Sequence, residues 1–326
     1  MADPNSDPYG YLGLAPNPDG SITRVAEMPT TRASADPGHP FYVSKDIPIN
    51  QSKGTWARIF VPRQAFDSSP ARKLPLVIYF HGGGFVVCRV NTSLFDSLYN
   101  EIAAGTPSVV VSVGYRLAPE HRLPVAYDDC EEGLHWLKSC KDEWLTKYAD
   151  FSKSFLMGTS AGGNIAYHVG LRAAGRADNL KPIQIKGIIC HQPFFGGVNR
   201  NGSELRLADD KVFPLGVSDL MWKLCLPVGV DRDHEYSNPV LSLKSGHFDG
   251  IKALGWKILI TGCDGDPLVD RQIELAKKLE EEGVPVTGIF DEGGFHGFDS
   301  IDPSRVTVLS TYLKGFVESV INSSPK

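Results

Sequence analysis

Largely apolar runs of four to seven residues recur along the chain, at residues 74–80, 109–115, 154–157, 185–190, 256–261 and 286–290. Short continuous runs of this kind predict strands covered on both faces. Amphipathic stretches fill the intervals. Residues 126–140 set Leu134 and Leu137 among charged residues at helical spacing. Residues 270–282 carry Ile273, Leu275, Ala276 and Leu279 on one face, and Gly283 supplies a stop. Residues 304–320 predict a closing helix. Upstream, residues 42–62 alternate in β-like runs. In residues 55–61 the alternation puts Trp56, Arg58 and Phe60 on one face and Ala57, Ile59 and Val61 on the other. Strands alternating with helices predict an α/β fold, with a mostly parallel central sheet and helices on both faces. The alternation continues without a linker, so a single domain over residues 1–326 is expected.

Two stretches do not follow this rhythm. Residues 1–40 are rich in Pro, Asp, Ser and Gly, with apolar islands at residues 9–14 and 25–28. Residues 194–248 form a long insertion between the apolar runs at 185–190 and 256–261, and it contains the apolar stretch at residues 220–227.

Composition narrows the class. The 33 Lys and Arg are scattered against 38 Asp and Glu, for a net charge of −5. No basic stripe suggests a nucleic-acid or anionic-membrane partner. The first seven residues have neither a basic nor an apolar segment of the kind a signal peptide carries. No stretch approaches the ~18 apolar residues of a membrane span. The six cysteines (88, 130, 140, 190, 225 and 263) show neither paired nor Cys-x-x-Cys spacing. That argues against a disulfide framework and a zinc site, and a reduced, cytoplasmic setting is expected.

Two glycine-rich motifs carry the chemistry. Gly158-Thr159-Ser160-Ala161-Gly162-Gly163 follows an apolar run and precedes a helical pattern. Strand, sharp turn and helix are the context of a nucleophile elbow. Small residues are needed at Gly158 and Gly162, and Ser160 projects from the turn. The second motif, His81-Gly82-Gly83-Gly84-Phe85, also follows an apolar run. A glycine run lets the backbone turn its N–H groups toward a substrate. With Ala161, Gly83 and Gly84 would form a three-donor oxyanion hole, and Gly82 belongs to the same loop. A nucleophile elbow calls next for an acid and then a His. His296, in a glycine-rich loop after the run at 286–290, is the strongest of the downstream histidines His191, His234, His247 and His296. Asp264, Asp266 and Asp270 compete for the acid. His81 is expected to shape the glycine loop. Arg116, Glu120 and His121 are expected to form a structural polar network, and His135 and His168 to be structural. His191 is open to a core or a pocket role. Phe85, Val86, Phe194, Phe195, Leu215 and Phe298 flank the catalytic loops and suggest an apolar substrate pocket. No metal or organic cofactor is called for.

These motifs, with Tyr115-Arg116-Leu117-Ala118-Pro119-Glu120-His121, Gly-x-Ser-Ala-Gly-Gly-Asn at 158–164 and Asp266-Pro267-Leu268, resemble the hormone-sensitive-lipase branch of the α/β-hydrolases. The finer pattern is similar to the plant carboxylesterases: Asp150-Phe151-Ser152, Gly202-Ser203-Glu204-Leu205-Arg206-Leu207 and Asp231-Arg232-Asp233-His234-Glu235-Tyr236. The likeness runs from about Tyr9 to Val320. It implies an α/β-hydrolase fold and selects Asp266 as the acid. It also implies a cap built from about residues 1–40 and 194–248, and a serine carboxylesterase acting on a small-molecule ester or alkaloid-like substrate. Two positions depart from the family pattern, which commonly has an acid where this chain has Thr159 and an Asp where it has Gly114. Those departures raise two alternatives on the same fold: a cyclase or eliminase of specialised metabolism using the Ser–His pair as a proton shuttle, and a small-molecule receptor.

Overall fold

A computed structural model describes residues 3–35, 40–298 and 302–323. The described residues form ten strands: β1 (Leu14–Pro16), β2 (Ile22–Arg24), β3 (Tyr42–Asn50), β4 (Thr55–Pro62), β5 (Leu74–Phe80), β6 (Val109–Val113), β7 (Ala149–Thr159), β8 (Ile185–His191), β9 (Lys257–Cys263) and β10 (Val286–Asp291). β1 and β2 form a small antiparallel hairpin. The other eight make one sheet in the order β10-β9-β8-β7-β5-β6-β4-β3. Pairing is parallel from β6 through β10, and antiparallel where β4 joins β6 and β3. The expected mostly parallel α/β architecture is present.

The inner strands of the sheet are buried on both faces, which is why they read as continuous apolar runs. Leu76, Ile78 and Phe80 of β5 face one core, together with Leu134 and Leu137 of the helix Val125–Ser139 and Ile165 of the helix Ala161–Ala174. Val77 and Tyr79 face the other, with Leu98 of the helix Asp96–Gly105 and Leu309, Leu313 and Phe316 of the helix Pro303–Ser323. The alternation expected in β4 also holds. Ala57, Ile59 and Val61 enter the first core and Phe60 the second. Arg58 is buried on the Phe60 side, where the Asp46 carboxylate accepts from Nε at 2.6 Å and Nη2 at 2.9 Å.

Boundaries differ in two places. β7 begins five residues before the expected run, because Asp150, Ser152 and Lys153 mask an extended segment whose pairing with β5 shifts register between Pro75 and Leu76. β6 ends at Val113, and Tyr115 instead stacks its ring on His81, 4.2 Å between centroids and 11° between planes.

The insertion after β8 contains the helix Leu215–Cys225, whose residues Val217, Met221 and Trp222 are buried. The N-terminal segment lies against it: Tyr11 Oη donates to the Val212 carbonyl at 2.8 Å. Of the first forty residues, 1, 2 and 36–39 lie outside the described residues. Among the described residues, no helix is long and apolar enough to cross a membrane.

Candidate active site

β5 ends beside both β6 and β7: Phe80 pairs with Val113 on one side and with Gly158 on the other. The glycine loop and the elbow therefore emerge side by side at the C-terminal edge of the sheet. At the elbow the chain passes from β7 into the helix Ala161–Ala174 through Ser160 alone, at φ +56°. A side chain at Gly158 would run into the Gly162 carbonyl, and one at Gly162 into the Phe80 carbonyl. These collisions give the Gly-x-Ser-x-Gly spacing its physical cause. The strained φ is held by backbone bonds on both sides of Ser160. Its N–H donates to the His191 carbonyl at 2.9 Å, and its carbonyl accepts from Phe194 N at 2.9 Å.

Ser160 Oγ lies 2.9 Å from His296 Nε2, and His296 Nδ1 lies 3.0 Å from Asp266 Oδ2. Ser160, His296 and Asp266 thus form a triad-like arrangement. Asp266 is fully buried and its carboxylate is well supplied with donors: Gln272 Nε2 donates to Oδ2 at 2.9 Å and Leu268 N to Oδ1 at 2.9 Å. The competing carboxylates are occupied elsewhere. Asp264 accepts from Gly293 N at 2.6 Å, and Asp270 accepts from Ser203 N at 2.7 Å. Phe213 lies against the His296 ring, 4.5 Å between centroids.

Across from Ser160, the N–H groups of Gly83, Gly84 and Ala161 have no hydrogen-bond acceptor among the described residues. Gly82 packs against the elbow; a Cβ there would lie 3.0 Å from the Thr159 carbonyl. His81 holds this loop from below. Its Nδ1–H donates to the Gly82 carbonyl at 2.8 Å, and its own carbonyl accepts from Tyr115 Oη at 2.8 Å. Burial pushes the His81 imidazole down to about 4, so it is neutral at physiological pH.

Ser160 and His296 open into a cavity of about 570 Å³. Val212, Phe213, Val217 and Met221 of the insertion line it on one side, and Tyr11 and Met28 of the N-terminal segment on another. None of Phe85, Val86, Phe194, Phe195, Leu215 and Phe298 lines this cavity, contrary to expectation. Phe85, Val86, Phe194 and Phe195 are at most 2% exposed and pack one layer behind it. Trp222 stacks on Phe194 at 4.2 Å and lies 6.0 Å from Phe85, so the aromatic layer is filled by the helix Leu215–Cys225 rather than left open. Phe298 packs edge-on to His191, and Leu215 sits at the helix start, where the following turn carries Val217 and Met221 inward instead. That i, i+4 pair was the signal available in the sequence.

Residues 77–300 match the family described as the alpha/beta hydrolase fold. Over 328 aligned residues the chain is 49% identical to Carboxylesterase 20 of Arabidopsis thaliana, covering 98% of this chain and 100% of that protein. The chain belongs to the plant carboxylesterase family. This carboxylesterase is also 41% identical to the 3-O-acetylpapaveroxine carboxylesterase CXE2 of Papaver somniferum, over 96% of this chain and 100% of that one. Among solved structures, an esterase of Pyrobaculum calidifontis superposes with a TM-score of 0.71 at 25% identity, covering 87% of this chain and 88% of that one.

The departures at Thr159 and Gly114 sit on either side of His81, at the ends of β7 and β6. Thr159 Oγ1 accepts from Tyr79 Oη at 3.1 Å. Gly114 N donates to the Trp56 carbonyl at 2.9 Å, and a Cβ at Gly114 would lie 2.8 Å from both that oxygen and Val90 Cγ2. In this carboxylesterase the backbone approach itself calls for glycine at 114. Arg116 and Glu120 serve structure, as expected. Asp129 accepts from Arg116 Nε at 2.9 Å and Nη2 at 2.8 Å, while Glu120 pairs with Arg24 at 2.8 Å. His168 packs its ring among those of Tyr127, Tyr167 and Tyr236. His191 is buried with Nδ1 2.7 Å from Thr261 Oγ1 and does not line the cavity.

Proposed function

We propose that this carboxylesterase hydrolyses small-molecule esters through an acyl-enzyme on Ser160. The carrying observation is the unbroken line from Ser160 Oγ through His296 to Asp266, lying beneath an apolar cavity. In this mechanism Ser160 Oγ–H donates to His296 Nε2, which takes the proton as Oγ attacks the ester carbonyl. The N–H groups of Gly83, Gly84 and Ala161, in the loop that Gly82 seats against the elbow, receive the developing oxyanion. His296 passes the proton to the leaving alcohol. Water then enters, is deprotonated by His296 and attacks the acyl carbon; the bond to Ser160 Oγ breaks, His296 returns the proton to Oγ, and the acid leaves. Asp266 accepts from Nδ1–H, holds the tautomer and stabilises the imidazolium.

The substrate we assign is a short-chain ester of a bulky apolar alcohol, alkaloid-like in its ring system. The size and apolar lining of the cavity support this, as does the name of the Papaver somniferum relative. Residues 1–40 and 194–248 act as the cap of a single domain, each supplying one cavity wall. A cytoplasmic setting belongs to the same proposal and is supported by six unpaired cysteines.

The test is turnover of p-nitrophenyl esters of graded acyl length, with Ser160 identified by mass spectrometry as the residue a fluorophosphonate labels. Turnover that disappears in Ser160→Ala supports the assignment. Labelling elsewhere, or Ser160→Ala at near wild-type rate, sinks it.

A further inference from the structure

The mechanism needs Ser160 and His296 held at a fixed separation, yet they come from opposite ends of the chain's second half. The His296 loop supplies little rigidity of its own. It contains Gly293, Gly294 and Gly297, all at positive φ, and glycine is the residue least restrained there. Something outside the loop has to fix it.

One buried side chain meets the loop on both sides of His296. Gln192 is fully buried. Its Nε2 donates to the Phe295 carbonyl at 3.0 Å, and its Oε1 accepts from Gly297 N at 2.7 Å. The peptide groups before and after His296 are therefore pinned by one amide. Gln192 is itself fixed: its backbone N–H donates to the Thr261 carbonyl of β9 at 2.7 Å, and it sits at φ +42°, a conformation uncommon outside glycine. The flanking residues close the circuit to the nucleophile, since the His191 carbonyl and the Phe194 N–H are the two groups that bond the Ser160 backbone at 2.9 Å each. Residues 191–194 thus join Ser160 and the His296 loop through four hydrogen bonds.

We infer that Gln192 is a positioning residue of this carboxylesterase, setting the distance from His296 to Ser160 without touching substrate. This rests on the esterase mechanism proposed above. An amide suits the role because its NH₂ and its carbonyl lie in a single plane, the NH₂ donating to the carbonyl on one side of His296, and also to Cys263 Sγ at 3.4 Å, while the oxygen accepts the N–H on the other.

The experiment compares wild type with Gln192→Met, which keeps length and volume but withdraws both bonds, and with Gln192→Asn, which is too short to reach both peptides. Active sites are counted by fluorophosphonate titration, so unfolded protein does not enter the rates. For both variants kcat on p-nitrophenyl acetate is expected to fall on the order of 10²-fold, as for an ångström-scale misplacement. KM should stay within about twofold, because the cavity walls are untouched. The far-downfield proton resonance shared by His296 Nδ1 and Asp266, measured on the same samples, should broaden or vanish. A titrated kcat within about threefold of wild type, or an unchanged resonance, overturns the inference. If the wild type itself fails to turn over esters, the esterase mechanism falls, and the resonance alone still decides whether Gln192 orders His296.

Discussion

Asp266→Asn tests the triad at its most enclosed point. The wild-type carboxylate accepts from three fixed donors: Leu268 N at Oδ1, and Gln272 Nε2 and His296 Nδ1 at Oδ2. An asparagine has one oxygen and one NH₂ for these places. Turning the oxygen toward His296 sets the NH₂ against the Leu268 N–H, an unrelieved clash of buried donors costing about 1–3 kcal/mol. Turning the NH₂ toward His296 keeps the Leu268 bond, and Gln272 can adapt, because its Oε1 is buried without a partner and an amide flip presents it to the new NH₂. The second orientation is therefore favoured. It makes Nδ1 an acceptor and places the proton on Nε2, where it blocks removal of the Ser160 proton. The tautomer penalty alone amounts to roughly 5- to 150-fold. Loss of the charge opposite the imidazolium adds to it, for a total up to ~10⁴ in kcat. Asp264→Asn removes an exposed charge but keeps an amide oxygen to accept from Gly293 N, and should change kcat less than about threefold. The assay is kcat on p-nitrophenyl acetate normalised to titrated sites. A fall of less than about fivefold in Asp266→Asn, or a larger fall in Asp264→Asn, refutes the reasoning.

Met221 packs against Gly84 at the cavity wall. Met221→Ala should therefore raise the octanoate-to-acetate ratio of kcat/KM about 10-fold or more, on the scale of a methylene or two in an apolar pocket, whereas Leu215→Ala should leave it unchanged; equal ratios in both variants would refute this. Burial pushes His168 down to about 3, with Arg172 nearby adding to the effect. The unfolded chain then binds the extra proton first, so this contribution to stability is present above the unfolded value of about 6.5 and is lost as pH falls toward the folded value. In urea titrations, His168→Phe should shrink the stability drop between pH 7 and pH 5 by about 2 kcal/mol, and a drop equal to wild type would count against it. Arg24 bonds the Val86 and Ala118 carbonyls at 2.7 Å each and Glu120 at 2.8 and 2.9 Å, tying β2 to the segment after the glycine loop. Arg24→Met should expose residues 13–35 to limited proteolysis and cost about 2–3 kcal/mol; unchanged digestion would show the segment is held elsewhere.

The sheet was legible because its inner strands are buried on both faces, leaving apolar runs that no amphipathic helix produces. Where polar residues entered a strand, as at Asp150 and Ser152, the run was read too short. Ser160 and His296 could be proposed from glycine spacing and chain order, since those patterns follow from backbone collisions local to each motif, whereas chain order left Asp264, Asp266 and Asp270 open for the acid and only the family resemblance selected Asp266. The cavity walls could not be read that way. Phe194 and Phe195 adjoin the elbow in sequence, yet whether an aromatic faces the cavity or the layer behind depends on what the insertion packs against it, here Trp222. Arg24 and Gln192 were missed for the same reason: their partners lie 62 or more residues away. Gly114 was read as a lost carboxylate, and only the approach of the Trp56 carbonyl from a neighbouring strand supplies a reason for it.

The burial of the cysteines has a consequence for chemoselectivity. Cys88 borders the substrate cavity, and Cys263 lies under the His296 loop, 3.8 Å from the Phe295 carbonyl. Either sulfur could in principle rival a serine for an electrophilic carbonyl. Exclusion from solvent pushes both thiols up to about 12, and the other four cysteines are raised for the same reason. At cellular pH they stay protonated and weakly nucleophilic. Oxidants and alkylating agents that silence thiol-dependent hydrolases find little to attack here, so reactivity toward acyl and phosphonyl donors is concentrated on a single oxygen.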